Sequence, residues 1–271
     1  MALVDRIIWQ IENHSDEPLS LEQIADRCAV SRAHMCRAFQ LSTGLSVMAY
    51  LRARRLSVAA QALAHGSQAI VQVALDAGYG SHEAFTRAFF TYTGQRPSDV
   101  RAAGSVDNLK LMEPLEMDKS MIVDVPAPEM KAHRALRVVG LGMDVHGFEI
   151  REIPALWQRF AQRYVEIGPP GVTYGVSYDM GGDGDFHYMA GMEGPNVPEG
   201  MDVLEVPAAR YAVFTHCGSV GDLPKTVYSI WNKALPDRGI EPAMTPNFER
   251  YDKRFDARTG RGEIEVWIPV V

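Results

Sequence analysis

The sequence predicts two domains: an all-α N-terminal double helix-turn-helix domain, then an α+β domain of two βαββ repeats around a central cleft. Three observations predict it. Ser31, Met35, Arg37, Ala38, Phe39, Thr43 and Gly44 recur in kind as Ser81, Phe85, Arg87, Ala88, Phe89, Thr93 and Gly94, all displaced by fifty positions. Helical periodicity fades from Ala102 to Ser120, where small, polar and charged residues dominate, so a domain boundary is expected there. Beyond it, short alternating runs flank two helical stretches, and a fainter repeat places Trp157 on Trp231 at a displacement of seventy-four. The expected domains are 1–104 and 121–271, joined by a linker over 105–120.

The elements of the first half follow in order. Leu21 to Cys28 carries Leu21, Ile24, Ala25 and Cys28 at helical spacing, and a short turn leads to Ser31. Serine is an N-cap: its side-chain oxygen accepts from the unpaired amides of the first turn. Met35 and Phe39 then share one stripe at i and i+4, and Gly44 ends the helix because glycine tolerates the left-handed conformation. The second copy repeats this with Ile70 to Ala77, a turn containing Gly78 and Gly80, the cap Ser81, the stripe Phe85 and Phe89, and Gly94. Between them Val47 to His65 is a long helix with Leu51, Leu56, Ala59, Ala60 and Leu63 as packing residues, stopped by Gly66. A rigid spacer of this kind is what two groove-reading helices need, since successive major-groove segments lie roughly 34 Å apart.

With Met35 and Phe39 turned inward, Ala33, Cys36, Arg37 and Gln40 fall on the other side of their helix, and His82, Glu83, Thr86 and Arg87 on that of the second copy. Arginine grips guanine through two hydrogen bonds, threonine touches a thymine methyl, and glutamate accepts from cytosine. Arg37 and Arg87 are therefore expected to contact bases or phosphates, the alternative being a structural ion pair within each unit. Arg32, Arg52, Arg54 and Arg55 are either phosphate contacts or solvated charge.

Charge is consistent with this reading without suggesting it. The formal net charge is -7, yet residues 1–104 hold ten arginines, no lysine and nine acids, so the acid excess sits in the second half. No run of about 18 apolar residues exists to cross a bilayer, and Met1 to Gln10 lacks the apolar core of a secretory signal. A cytoplasmic protein without membrane contact is expected. Cys28, Cys36 and Cys217 match no disulfide framework or zinc spacing and are expected to be reduced packing residues. His133, His146, His187 and His216 do not cluster with acids, so no metal is expected, and no cofactor. Gly181 to Gly184 reads as a hairpin turn and not a phosphate loop, because no helix with a leading lysine follows.

The stretch Gly78-Tyr79-Gly80-Ser81-His82-Glu83-Ala84-Phe85-Thr86-Arg87-Ala88-Phe89, continuing through Thr93-Gly94-Gln95-Arg96-Pro97-Ser98 to Arg101, resembles the signature of AraC/XylS-type transcription regulators. The likeness runs from residue 5 to about 101. Phe90 departs from it where the family usually has lysine, which removes a phosphate contact, and Val100 where it has tyrosine. The resemblance places the base-reading positions on Ala33, Cys36 and Arg37, and on His82, Glu83, Thr86 and Arg87; Arg32, next to the first set, is a candidate DNA contact on its charge alone. Small residues at 33 and 36 leave the first helix few bases to read.

In the second half, Val139 to Asp144 and Val213 to Gly218 are expected strands, and Ile150 to Ile167 and Asp222 to Leu235 expected helices. Each helix is followed by two strand-like runs: Val172 to Tyr178 with Phe186 to Met192, and Phe248 to Asp252 with Glu263 to Val270. A cleft between two such units is a natural ligand site. Along the last run Glu263, Glu265 and Trp267 share a face, and before it Glu249 and Tyr251 oppose Phe248 and Arg250. A carboxylate beside aromatic rings suits a lipophilic cation; sheet packing, with Glu249 paired to Arg250 or Arg254, is the plainer alternative.

Residues 121–271, above all Asn247 to Asp252 and Gly262 to Val270, resemble the gyrase-inhibitor-like (GyrI-like) effector domain. The resemblance implies a tandem of βαββ units binding small, often cationic and aromatic molecules around a buried glutamate, which falls on Glu249. Trp157, Tyr174, Trp231 and Trp267 are the aromatic residues expected to line that site. The expectation is a non-enzymatic regulator of promoter DNA that senses a small-molecule effector, with RNA polymerase as a further partner. The alternatives are a C-terminal domain that hydrolyses a reactive ligand with the same glutamate as base, or one that only contacts partners.

Overall fold

The computed structural model describes all residues except 16, 146–151, 180–185 and 244. By packing, the chain divides into two units. One comprises Leu3–Ala29 and Ser46–Met117, the other Val30–Leu45 and Asp118–Val271. The Gly181 to Gly184 turn, His146 and the start of the helix expected from Ile150 lie outside the described residues.

The first unit holds α1 (Leu3–His14), α2 (Leu21–Arg27), α4 (Val47–His65), α5 (Ile70–Asp76), α6 (His82–Thr93) and α7 (Pro97–Ala103), and α3 (Arg32–Thr43) belongs to the second unit. Capping sets the boundaries. Ser20 closes a capping box with Gln23 at the start of α2, and Ser31, Ser46 and Ser81 accept from His34, Ala49 and Ala84 at the starts of α3, α4 and α6. Gly44 and Gly94 end α3 and α6 in the left-handed region, at φ 69° and 74°, as the repeat requires.

The core of this unit gathers Leu56, Ala59, Ala60 and Leu63 of α4, Val73 and Ala74 of α5, Phe85 and Phe89 of α6, and Val100 of α7. Both phenylalanines are fully enclosed, burial that contributes about 2–3 kcal/mol each. Part of the expected linker is tied down along α4. Val106, Leu109 and Leu111 pack against the core, the Met112 amide donates to Ser57 Oγ at 2.8 Å, and the Leu115 amide to Tyr50 Oη at 3.1 Å. Two of the arginines left open by sequence are structural: Arg54 binds Glu12 at 2.8 Å and the Met112 carbonyl, and Arg55 binds the carbonyls of Ser15 and Glu17.

The second unit is built, besides its helices, on one antiparallel sheet. Its strands, among the described residues, are β1 (Glu129–His133), β2 (Leu136–Val145), β3 (Thr173–Tyr178), β4 (Phe186–Met192), β5 (Asp202–Val206), β6 (Ala209–Ser219), β7 (Asn247–Tyr251), β8 (Phe255–Asp256) and β9 (Arg261–Val270). Their order is β1-β6-β9-β7-β3-β4-β2-β5, with β8 beside β9. Between β2 and β3 runs α8 (Ile153–Ala161), and between β6 and β7 runs α9 (Leu223–Ser229), continued by a π-type turn over Ile230–Ala234. The units β2-α8-β3-β4 and β6-α9-β7-β9 thus reproduce the βαββ repeat read from the sequence.

The repeats join where β3 pairs with β7, and Gly175 lies opposite Glu249 in that ladder. Glu249 follows Gly175 by the same displacement that separates Trp231 from Trp157, so the pseudo-twofold axis passes through this pair. A methyl group at residue 175 would come within 2.3 Å of Glu249 Oε2 and 2.0 Å of Tyr188 Oη. Only glycine leaves room there.

β1 and β5, edge strands at the two ends of the sheet, were not expected from the sequence. Their exposed alternating residues give little apolar signal, and pairing with β6 and β2 fixes them instead. Of the cysteines expected to pack, Cys28 is buried and Cys36 half-buried, but Cys217 is exposed.

Candidate functional site

On α6, the inward stripe of Phe85 and Phe89 turns His82, Glu83, Thr86 and Arg87 to the other side. His82, Glu83 and Arg87 are exposed and Thr86 half-buried. With Phe90 and Arg96 they line an open groove of about 410 Å³. Phe90 is half exposed and adds an apolar surface where a lysine was the expected residue type. The arrangement offers a cation, a carboxylate and a hydroxyl at one face of a capped helix, the set that reads base edges in a major groove. Arg96 comes from the turn before α7 and went unnoticed in the sequence, because only the fold brings it beside Arg87.

The equivalent helix α3 differs. Arg32 is exposed, and Ala33 and Cys36 are half-buried. Arg37, the counterpart of Arg87, keeps only 6 % of its surface. Within the second unit its guanidinium stands 4.5 Å from the Phe186 ring centre and 5.9 Å from that of Trp231. Among the described residues no acceptor is within hydrogen-bonding reach of its Nε or Nη1. The structural ion pair weighed as an alternative for this arginine is absent among the described residues. His34 bonds the Trp231 carbonyl at 2.8 Å through Nε2, and Asn232 Nδ2 donates to Ser42 Oγ at 2.9 Å.

On the same unit, Glu249 projects from β7 beside Gly175. Tyr188 of β4 donates to its Oε2 at 2.7 Å, and Tyr251 donates at 3.4 Å. Trp157 of α8 donates from Nε1 to Tyr188 Oη at 3.1 Å, and its ring meets that of Tyr251 edge-on at 5.0 Å. Burial raises the Glu249 carboxyl to about 7, against the two tyrosine hydroxyls and the charge of Arg37, which favour the ionised form. Burial likewise lowers Arg37 to about 10, with Glu249 opposing. Both tyrosines are pushed up by burial and by the adjacent carboxylate, so they remain donors.

Of the residues expected around Glu249, the structure brings Trp157 into its hydrogen-bonded chain and places Trp231 against Arg37. Tyr174 and Trp267 lie on the opposite face. Trp267 stacks on Phe248 at 5.4 Å, and Tyr174 meets Phe248 edge-on at 5.8 Å. Successive residues of a strand point to opposite sides, so a side chain packed with Phe248 is turned away from Glu249. Arg250 and Arg254 serve Asp252, Glu263 and Glu265 on that far side, and no ion pair joins either to Glu249 among the described residues. Tyr188 and Phe186 had no signal in the sequence; they reach the site because β4 pairs with β3. Among the described residues no group of three or more His, Cys, Asp or Glu side chains is placed to hold a metal ion, and no helix is long and apolar enough to cross a membrane.

Comparison with known proteins bears on both surfaces. The model of the GyrI-like small molecule binding domain matches residues 126–271, and that of a helix-turn-helix domain matches 24–103. The transcriptional regulator BrlR of Pseudomonas aeruginosa PAO1 is 39% identical over 125 residues, which are 44% of this chain and 46% of BrlR, so the match spans less than half of that relative. The right origin-binding protein of Escherichia coli K12 is 26% identical over 286 residues, covering 98% of this chain and 96% of that one. A solved protein structure from Staphylococcus aureus MU50 aligns at 20% identity and a TM-score of 0.44, over 53% of this chain and 97% of that one. With more than half of its length in the first family and its tandem helical units in the second, the chain belongs to the AraC-type DNA-binding transcription regulators that carry a GyrI-like small molecule binding domain.

Proposed function

We propose that this regulator senses a lipophilic organic cation at Glu249 and reads its promoter with the face of α6 that carries His82, Glu83, Thr86 and Arg87. One observation carries the ligand class. Glu249 is a carboxyl in an apolar, aromatic setting, held by two tyrosine hydroxyls and lacking an ion-pair partner among the described residues. A carboxylate so placed gains most from a cation that brings its own apolar surface, since ring faces and negative charge attract it together. Trp157, Tyr251, Phe186 and Trp231 supply the rings. On the DNA side, Arg87 and Arg96 provide charge for phosphates or guanine, and Glu83 and Thr86 provide selectivity. RNA polymerase is the partner such a promoter-bound regulator would contact.

The test is direct. Tryptophan fluorescence of the full chain, titrated with tetraphenylphosphonium, is expected to report saturable binding that Glu249→Gln weakens at least tenfold. Neutral triphenylphosphine oxide is expected to bind much more weakly. Equal binding of the cation and the neutral molecule, or of wild type and Glu249→Gln, would refute the ligand class. Promoter recognition is tested by selecting duplexes from a random pool with wild type and with Arg87→Ala; the same enriched sequence from both would remove α6 from the reading.

A further inference from the structure

The duplicated pattern gives α3 and α6 equivalent arginines, and the fold treats them in opposite ways. Arg87 is exposed on its groove. Arg37 is enclosed between Phe186 and Trp231, on the side of the sheet that bears Glu249. Its guanidinium is a planar, delocalised cation beside aromatic rings, and Phe186, over which it lies, shares one face of β4 with Tyr188, the donor to Glu249. That is the chemistry proposed for the effector, supplied by the chain itself.

The placement is also a poor one for an arginine. Among the described residues, Nε and Nη1 are buried without an acceptor, and so is the Trp231 indole Nε1. A buried cation with unmet donors is held weakly, because its desolvation is not repaid by hydrogen bonds. A ligand with the same charge and more apolar surface would fill the site better. Near Arg37, the hydrogen bonds of His34 with the Trp231 carbonyl and of Asn232 with Ser42 tie α3 to the turn that continues α9.

We infer that Arg37 is an internal ligand of the Glu249 site: a lipophilic cation and the seated Arg37 exclude one another, so effector binding frees the outer face of α3 for DNA. This rests on the cation reading of the Glu249 site. By linkage, a cation that binds only when Arg37 is out must favour the DNA-competent state by the same factor by which that state favours the cation. The second unit of the repeat, α5 with α6, needs no such release.

The experiment compares wild type, Arg37→Met and Arg37→Lys by tetraphenylphosphonium titration of the full chain. Methionine keeps the volume and removes the charge, a change buried sites tolerate, and thermal unfolding checks that each variant is folded. Arg37→Met is expected to bind the cation at least tenfold more tightly than wild type, because no competitor occupies the site. Arg37→Lys is expected to fall between, since ammonium stacks poorly on rings. Saturating cation is expected to speed amide hydrogen exchange across Met35–Thr43 in wild type and leave Phe85–Thr93 unchanged. Equal affinities of wild type and Arg37→Met, or unchanged exchange across α3 at saturation, would overturn the competition while leaving the cation site standing. Absence of binding to all three proteins would instead remove the cation site, and this inference with it.

Discussion

Arg37 and Arg87 occupy the same position of a pattern repeated after fifty residues, yet Arg37 retains 6 % of its surface and Arg87 is exposed. Sequence alone assigns the two one role. The fold separates them, and the difference can be measured.

Arg87→Ala is expected to cost about 1–3 kcal/mol of operator binding and to relax selectivity at one base position, if it makes the bidentate contact its exposure allows. Fluorescence anisotropy on a selected duplex and on single-base variants checks both. A uniform loss across all variants would mark a phosphate contact instead.

Phe90 stands half exposed beside Arg87 and Arg96. Phe90→Lys is expected to tighten DNA binding and to steepen the dependence of log affinity on log salt by about 1, as one more phosphate is neutralised. Binding measured across a salt series decides it; an unchanged slope would place position 90 away from the backbone.

The cation affinity proposed for Glu249 is expected to depend on pH. Its carboxyl is raised to about 7, so it is mostly neutral at pH 6 and mostly ionised at pH 8. Affinity for a permanently charged cation is expected to rise about tenfold across that interval, and Glu249→Gln is expected to show a flat profile. Stability runs the other way. Between the ordinary 4.5 and about 7 the unfolded chain ionises this group more readily than the folded one, so stability falls as pH rises through that window and then levels. The difference in unfolding temperature between Glu249→Gln and wild type is therefore expected to grow in favour of the variant from pH 5 to pH 8.

Phe85 and Phe89 are fully enclosed in the core of the first unit. Phe89→Ala is expected to destabilise by about 3–5 kcal/mol, and Ser81→Ala, which removes the cap of α6, by about 1 kcal/mol. Urea unfolding followed by circular dichroism measures both, and a cap variant as costly as the core variant would contradict the assignment.

How much of this was legible beforehand depends on the range of the forces involved. Helix limits set by local capping and glycine were readable to within a residue: Val47 to His65 is helical as expected, and Gly44 and Gly94 close their helices. Strands with strong apolar runs were also readable, as β4 from Phe186 to Met192 shows. The edge strands β1 and β5 were not, since pairing rather than composition defines them. The site was half legible. Glu249 and Trp157 come together, whereas Tyr174 and Trp267 turn to the far face, because which side of β3 and β9 shares a face with Glu249 is decided by long-range register. The burial of Arg37 was not legible, since helical periodicity reports which face of α3 is apolar and is silent on what covers the other.

The glycine facing Glu249 across the junction of the two repeats has a last consequence. A tandem duplication with its axis through that ladder offers two matching half-sites, and a carboxylate stands in one of them only. The recognition proposed at Glu249 is therefore lopsided: one guest per chain is expected, its charged end toward a single side, and a dose-response curve for an isolated subunit should follow a simple hyperbola with a stoichiometry of about one.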